Sequence, residues 1–350
     1  RFSMSKAAEL ANLIGNINAG GGGTNKNLII NGNCAIAQRG DQSNKSSDHY
    51  SAVDRYEIQM SGSGAVTSTQ STTVPTGEGF NNSLKVDVVT NNGGSEDAGD
   101  YLIIMQKLEG FDLQQLKYGT SSAVPLACSF YVRSNLTGTF QFHAEAPDSS
   151  GYKYFGKTYT IDSANTWEKK TINIIANTNS SAIPDDNTEG FRIQWQLVGG
   201  SNYTSGTYTD GAWHGTGANR MSSSANNTFA RSTDNEFLLT GISLEVGQNP
   251  TSFEHEPFER TLSRCQRYNL ITDFNVQGYP SSSGYAHCQV NFPVEMRANP
   301  AVSITDGTKG GVSAADTAAH NITKTGCRIE NQTSGNGSRM YHLGGSLAVS

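Results

Sequence analysis

The sequence predicts an all-β protein: a jelly-roll or β-sandwich domain, a smaller C-terminal β domain and a short N-terminal helix. Apolar and polar residues alternate in many short runs, the period-2 pattern of strands with one buried face. Clusters of Gly, Asn, Ser and Asp separate these runs at the spacing of a sandwich. Charged residues make up only 16% of the chain and net charge is −6, which favours a loop-rich β protein over a disordered one.

The first element is a helix predicted over residues 3–18. Leu10, Ile14 and Ile17 follow one another at helical spacing and form a narrow apolar stripe. A helix this short is marginal alone in water, so the stripe needs a partner, either copies of itself or another protein. A glycine linker follows at residues 20–23. Residues 1–24 are therefore predicted to be an anchoring helix and its linker.

Strand signals dominate the next 230 residues or so. They lie at residues 28–30, 84–89, 101–105, 128–132, 139–142, 170–175, 191–198 and 237–246. Residues 108–117 are predicted to form a short helix or turn. The long connections 61–82 and 199–235 are each expected to contain a hairpin or to have a function.

The segment 242–268 is predicted to join two β domains. A strand with alternating Ile242, Leu244 and Val246 is stopped by glycine and proline, and a short helix follows. Phe253 and Phe258 are expected to pack the end of this strand against the helix. The predicted domains are a jelly roll at 27–258, a connecting helix at 259–270 and a C-terminal β domain at 271–350. The last has too few residues for a large core, which packing against sister chains would relieve.

Several phrases of the sequence resemble tail-fibre and other appendage proteins of tailed bacteriophages. They are LEVG at 244–247, FEHEPFERTLSRCQRYN at 253–269, NLIINGNCAIAQRG at 27–40, DRY at 54–56 and FPV with MR and P at 292–300. In that family the first domain is a carbohydrate-binding-module-like jelly roll. The resemblance implies a virion protein assembled in the host cytoplasm, a homotrimeric fibre subunit that contacts other virion proteins through its N-terminal helix and contributes to attachment to host-surface glycans.

Composition narrows the possible partners. An acidic net charge and a pI near 5.7 argue against general nucleic-acid binding, which needs a basic face. No run of 18 apolar residues is present, so no membrane insertion is expected. The five cysteines are odd in number and scattered without metal-ligand spacing. They are interpreted as free, mostly buried thiols of a protein made in a reducing compartment.

No catalytic residues, metal ligands or cofactor are predicted, because no enzyme or nucleotide-binding motif is present. His255 lies between two glutamates, but neighbours in an extended chain point to opposite faces. The Asn31-Gly32 turn resembles a turn that contributes to a structural calcium site in carbohydrate-binding modules. The last strand, however, lacks the expected aspartate, so no metal site is assigned.

A saccharide site is predicted in the loop 203–214, which concentrates Tyr203, Tyr208, Trp213 and His214 among small polar residues. Sugar C–H faces stack on aromatic rings while their hydroxyls bond to polar groups. The alternative is that Trp213 fills the sandwich core and the tyrosines cover a loop. A second aromatic cluster, at residues 152–159, is interpreted as an ordinary strand hairpin.

Two other function classes remain open. A capsid- or tail-attached scaffold or decoration protein without a ligand would bury the aromatic residues of the loop 203–214 or place them in a subunit interface. A polysaccharide-degrading module would hold two carboxylates within about 10 Å in an aromatic-lined cleft.

Overall fold

A computed structural model describes residues 27–146, 153–179, 181–215, 220–225, 228–278, 284–310, 312–333 and 340–349. The chain forms two compact units, one ending at Glu256 and one beginning at Pro257. Antiparallel strands dominate both units, which confirms the all-β prediction. The proposed anchoring residues Leu10, Ile14 and Ile17 lie outside the described residues.

The N-terminal unit contains thirteen strands within the described ranges. They are β1 (Gln42–Lys45), β2 (His49–Tyr50), β3 (Glu57–Ser61), β4 (Ala65–Ser71), β5 (Ser83–Thr90), β6 (Tyr101–Glu109), β7 (Leu126–Ser134), β8 (Gly138–Ala146), β9 (Lys153–Ile161), β10 (Glu168–Ile174), β11 (Glu189–Gly199), β12 (Ala212–His214) and β13 (Glu236–Val246). The described part of this unit also contains three short helical segments, Gly110–Leu116, Ser201–Thr204 and Phe229–Arg231. The first of these confirms the helix or turn predicted at 108–117.

These strands form two antiparallel sheets that pack as a sandwich. The first sheet has the order β1-β4-β5-β13-β7-β10, and the second has the order β12-β9-β8-β11-β6-β3-β2. The chain crosses repeatedly from one sheet to the other, as in a jelly roll. Each sheet therefore has one face toward the common core and one outer face.

The core between the sheets is built around aromatic rings. Phe130 of β7 lies 5.4 Å from Trp195 of β11 and 6.1 Å from Phe142 of β8, measured between ring centroids. All three side chains are completely buried. Because Phe130 belongs to the first sheet and the other two to the second, this cluster fixes the sheets face to face.

The prediction of a strand at residues 28–30 is wrong, although these residues are largely buried. Side chains satisfy the backbone groups that a neighbouring strand would otherwise bond. Gln106 accepts a hydrogen bond from the Ile30 N–H at 2.8 Å and donates to the Ile30 carbonyl at 3.0 Å. The Asn27 side chain accepts from the N–H groups of Ile29 and Leu244. The segment is thus buried without regular secondary structure, and Ile29 is only 2% exposed.

Both long connections contain structure of their own. The connection 61–82 includes β4, which pairs with β5. The connection 199–235 includes the helix Ser201–Thr204, strand β12 and the helical turn Phe229–Arg231. Strand β12 adds to the edge of the second sheet beside β9. This second connection supplies part of the site described below.

The C-terminal unit begins with the helix Phe258–Gln266. Its strands are β14 (Leu270–Gly278), β15 (Tyr285–Asn291), β16 (Val302–Thr305), β17 (Thr308–Gly310), β18 (Val312–Thr323), β19 (Gly326–Thr333) and β20 (Met340–Val349). Strands β14, β20 and β16 form one sheet, to which β17 adds, and β15, β19 and β18 form another. Phe274, Ile329 and Leu347 belong to a core separate from that of the first unit.

Two further predictions can be compared with the structure. All five cysteines are free, and all but Cys288 are buried, as predicted. The expected packing of Phe258 is wrong, because this side chain is 57% exposed. None of the helices within the described ranges has the length and apolar character needed to cross a membrane.

Candidate functional site

The outer face of the second sheet carries a row of polar side chains. Directly opposite residues on paired antiparallel strands point to the same face. The pairing of β3, β6, β11 and β8 therefore aligns Gln59, Ile103, Gln196 and Gln141 in one row. An outer face of a sheet is ordinarily solvated, but Gln196 is only 4% exposed and Gln141 is completely buried. Part of the chain must therefore cover this face.

The connection 199–235 supplies the cover and leaves a cleft of about 240 Å³. The Met221 N–H donates a hydrogen bond to the Tyr203 carbonyl at 2.9 Å, which brings two parts of the connection together over the sheet. The Gln141 side chain holds the same segment from below, donating to the Arg220 carbonyl at 3.0 Å and accepting from the Ser222 N–H at 2.7 Å. The cleft is lined by Gln59, Tyr101, Ile103, His143, Tyr154, Gln194, Gln196, Tyr203, Arg220 and Met221.

Arg220 lies against two tyrosine rings at the cleft. Its guanidinium carbon is 4.8 Å from the centroid of the Tyr154 ring and 4.7 Å from that of Tyr203. Its Nη1 donates a hydrogen bond to the Tyr154 hydroxyl at 2.9 Å. Tyr101 contacts the edge of the Tyr203 ring, with centroids 6.0 Å apart. Cation–π attraction and these contacts hold the guanidinium in place.

Three glutamines line the cleft with their amide nitrogens already committed to the protein. The Nε2 of Gln194 donates to a Glu145 carboxylate oxygen at 2.8 Å, and that of Gln196 donates to the Val198 carbonyl at 2.6 Å. Gln59 donates likewise to Glu57 at 2.8 Å. Each acceptor is an oxygen, so the nitrogen of each amide must face it. No donor of the described residues contacts the amide oxygens, which are therefore available as hydrogen-bond acceptors.

His143 lies at the base of the cleft and is 2% exposed. Burial lowers its pKa to about 3, and the positive charge of Arg220 acts in the same direction. The Gln141 amide nitrogen lies 2.7 Å from His143 Nε2. Since that amide nitrogen is a donor, Nε2 accepts and the neutral ring carries its proton on Nδ1.

The neutral state of His143 predicts a dependence of stability on pH. The unfolded imidazole takes up a proton near pH 6.5, whereas the folded one does so only near pH 3, so the unfolded state binds more protons between these values. Stability is therefore expected to fall as the pH falls, by about 2 kcal/mol between pH 7.5 and 5. The measurement is urea unfolding at several pH values, followed by tryptophan fluorescence. All three tryptophans lie in the N-terminal unit.

The control is His143→Gln, which does not titrate and should flatten this pH dependence. His49, whose pKa burial also lowers, contributes a slope of the same sign, whereas Glu145 and Asp54, whose pKa values burial raises, contribute slopes of the opposite sign. An unchanged slope in His143→Gln would contradict the buried neutral state.

The structure separates the four predicted saccharide residues. Tyr203 lines the cleft. Trp213 lies directly opposite Phe155 in the β12–β9 pair, and Phe155 is completely buried in the core. The Trp213 ring accordingly packs 5.7 Å from Phe155 and 5.9 Å from Tyr118, and its Nε1 donates to the Ile175 carbonyl at 2.8 Å. This is the core-filling role considered as the alternative; ligand contact by Trp213 stays a prediction.

Tyr208 and His214 lie together on the outer face but do not line the cleft. Their rings stack with centroids 5.9 Å apart. The Tyr208 hydroxyl donates to Asp210 at 3.0 Å, and Asp210 also accepts from the Thr158 N–H at 2.7 Å. Partial burial works against ionisation of Asp210, but hydrogen bonds from Lys157 and the other donors outweigh it and lower the pKa. These contacts tie the loop to β9.

The sequence did not predict Tyr154, Arg220 or Tyr101 as residues of the site. Tyr154 belongs to the cluster at 152–159 that was interpreted as an ordinary hairpin. Its alternation with buried Phe155 shows only that the two rings point to opposite faces. A tyrosine beside a phenylalanine in one strand was thus a signal for an outward-facing ring. Nothing in the local sequence brings Arg220 to Tyr154.

A second, larger cavity of about 410 Å³ lies beside the helical segment Gly110–Leu116. Leu113, Ile183 and Tyr118 form its apolar part, and the Tyr118 ring is 2% exposed. The Gln114 amide at its rim donates to the carbonyls of Ile183 and Pro184. Because its one aromatic ring is buried, this cavity fits a sugar less well than the cleft does.

The Asn31-Gly32 turn is held by protein groups. The Asn31 amide nitrogen donates to the carbonyls of Ile36 at 2.9 Å and Asp54 at 3.1 Å, and its oxygen accepts from the Ile36 N–H. The Gly32 carbonyl accepts from the Ile242 N–H at 2.9 Å. No group of three or more His, Cys, Asp or Glu within the described ranges could hold a metal ion.

His255 packs in an aromatic cluster of the N-terminal unit. Its ring centroid lies 4.9 Å from that of Phe253 and 5.2 Å from that of Phe80. This packing supports the structural interpretation of His255.

No family model matches the sequence. No curated protein matches it either. Among solved structures, the enzymatically active domain of tailspike protein 4 from bacteriophage CBA120 is similar with a TM-score of 0.34 at 11% identity, over 63% of this chain and 21% of that one. This chain thus spans about a fifth of that tailspike chain.

Two bacterial binding modules are similar at the same level. A family 11 carbohydrate-binding module from Clostridium thermocellum, in complex with a β-1,3-1,4-mixed-linked tetrasaccharide, has a TM-score of 0.31 at 13% identity, over 56% of this chain and 91% of that one. A xylan-binding domain from Paenibacillus barcinonensis Xyn10C has a TM-score of 0.28 at 9% identity, over 60% and 94%. TM-scores this low carry no argument about the activity of this chain.

Proposed function

We propose that the N-terminal unit binds a saccharide in the cleft on the outer face of its second sheet. The observation that carries this proposal is the combination of exposed ring surface with oriented amide oxygens. Tyr203 and Tyr101 offer rings on which the C–H face of a sugar stacks. The free amide oxygens of Gln59, Gln194 and Gln196 offer acceptors for sugar hydroxyls.

The proposed biological role is non-catalytic attachment to a host-surface glycan by a homotrimeric fibre or appendage subunit of a phage virion. Support for the virion comes from the phrases shared with tail-fibre proteins at both ends of the N-terminal unit. A cleft of about 240 Å³ is small for a sugar-binding site, which suits weak individual binding. Three linked copies would convert weak sites into strong attachment. The N-terminal helix is the proposed contact to the other virion proteins.

The test is Tyr203→Ala, measured first on an array of bacterial surface polysaccharides. Calorimetry then measures the affinity for a soluble oligosaccharide derived from the polysaccharide that binds most tightly. A soluble oligosaccharide removes the contribution of avidity. We expect about a fivefold loss of affinity, since one stacking ring contributes about 1 kcal/mol. The fluorescence-detected stability of the N-terminal unit serves as the folding control.

Two matched variants locate the site. Tyr285→Ala removes a tyrosine that is 56% exposed in the C-terminal unit, and it should bind like the wild type. Tyr208→Ala removes a ring of the predicted loop that lies outside the cleft, and it should change affinity less than Tyr203→Ala does. A loss with Tyr208→Ala alone would move the site to the loop. A wild type that binds no polysaccharide would favour the scaffold function, and cleavage of a bound one would favour the degrading module.

A further inference from the structure

The cleft contains a cation that no carboxylate of the described residues contacts. Arg220 makes one side-chain hydrogen bond there, from Nη1 to the Tyr154 hydroxyl. Other arginines of the N-terminal unit behave differently, since several contact a glutamate directly. These pairs are Arg133–Glu236, Arg192–Glu189 and Arg231–Glu96.

The buried acid of this face, Glu145, does not contact Arg220 directly, although the Tyr154 hydroxyl hydrogen-bonds both side chains. Glu145 is 4% exposed, lies 3.7 Å from Arg192 and accepts the Gln194 amide. Burial raises the pKa of Glu145. The positive charge of Arg192 opposes this rise more strongly than the positive charge of Arg220 does. Glu145 and Arg220 therefore interact only beyond contact distance. A second anion can approach Arg220 from the open side of the cleft.

The guanidinium has one complete edge left for such an anion. Nη1 is used by Tyr154, whereas Nε–H and Nη2–H, the two parallel donors of one edge, donate to no other described residue. Two parallel N–H donors match the two oxygens of a carboxylate. The rings of Tyr154 and Tyr203 hold the guanidinium plane, so little side-chain freedom remains to be lost on binding.

The neighbouring groups define what carries the carboxylate. The three glutamine oxygens at the cleft are acceptors, and they disfavour a bare anion while they favour hydroxyl groups. We infer that the cleft selects an acidic saccharide, a sugar whose carboxylate binds the Nε–Nη2 edge of Arg220 while its hydroxyls donate to the glutamines. This inference rests on the proposed saccharide-binding function and names its ligand class.

The experiment compares the same polysaccharides before and after chemical reduction of their carboxyl groups. Uronate-containing bacterial polysaccharides and their carboxyl-reduced forms are placed on one array and probed with the full chain. We expect the acidic forms to bind about tenfold more tightly than the reduced forms, and the difference to shrink as salt increases. Arg220→Gln should remove this preference. Arg220→Lys, which keeps the charge but loses the parallel donors, should retain only part of it.

The outcomes separate the inference from the function on which it rests. Equal binding of acidic and reduced forms would overturn the inference and leave saccharide binding intact. Binding of neither form would overturn both. Inorganic phosphate, titrated alone by calorimetry, should not bind measurably, and tight phosphate binding would show a plain anion site instead. Unchanged fluorescence-detected stability of both Arg220 variants shows that a lost preference is not a loss of fold.

Discussion

Replacing Trp213 with alanine is expected to lower the free energy of unfolding of the N-terminal unit by about 3 kcal/mol. The ring packs between Phe155 and Tyr118 at the edge of the core, and its Nε1 donates to the Ile175 carbonyl. The substitution removes this apolar contact and leaves a carbonyl without its donor. The measurement is urea unfolding followed by the fluorescence of the two remaining tryptophans, Trp167 and Trp195.

Trp213→Phe and Tyr208→Ala are the matched controls. Trp213→Phe keeps most of the packed ring and should lose about a third as much stability. Tyr208→Ala removes a ring of the same loop that packs on His214 and not in the core, and its cost should be about 1 kcal/mol. If Trp213→Ala cost no more than Tyr208→Ala, the ring would not be part of the core, and the prediction that it contacts a ligand would be favoured.

Gly241→Ala is expected to cost about 3 kcal/mol, from backbone strain and steric overlap together. Gly241 lies in β13, where the pairing with β7 shifts register, and its φ is 62°. An added Cβ would lie 2.6 Å from Phe80 Cζ and 2.9 Å from Tyr131 Cδ2. Both rings are buried in an aromatic cluster on the outer face of the first sheet, where they pack with centroids 5.5 Å apart, so neither can move away without disturbing its neighbours.

Gly40→Ala separates the cost of backbone strain from the cost of steric overlap. Gly40 has a φ of 65°, close to that of Gly241, but an added Cβ would meet no atom within 4 Å. Its cost should be about 1 kcal/mol, the strain alone. Equal costs for the two substitutions, measured by the same fluorescence-detected unfolding, would show that Phe80 and Tyr131 accommodate the methyl group.

Local patterns in the sequence were sufficient for the fold class. The strand patterns predicted seven of the thirteen strands described in the N-terminal unit, because side chains of a half-buried strand must alternate between core and solvent. The exception at residues 28–30 has a specific cause. Apolar residues can be buried without strand pairing when side chains satisfy the backbone, here those of the neighbouring Asn27 and the distant Gln106. No local pattern predicts a partner 76 residues away.

The candidate site depended more strongly on tertiary structure. The sequence marked the loop 203–214 as rich in rings, and Tyr203 does line the cleft. Tyr101, Tyr154 and Arg220 reach the same cleft from separate parts of the chain, through strand pairing and the cover formed by the connection 199–235. Composition alone cannot distinguish a ring in a cleft from one in a hairpin.

Trp213 and His214 show what the sequence determines and what only the tertiary structure decides. Neighbours in any strand point to opposite faces, because the side-chain period of a strand is two residues, but the sequence indicated a loop at 203–214 and not the strand β12. Which of them faces the core is decided by the pairing of β12 with β9, where Trp213 lies opposite buried Phe155 and His214 lies opposite Tyr154. A slip of one residue in this pairing would exchange the two faces. The register is fixed by contacts made only in the folded chain, such as the hydrogen bond from the Gly211 N–H to the Gly156 carbonyl at 2.8 Å.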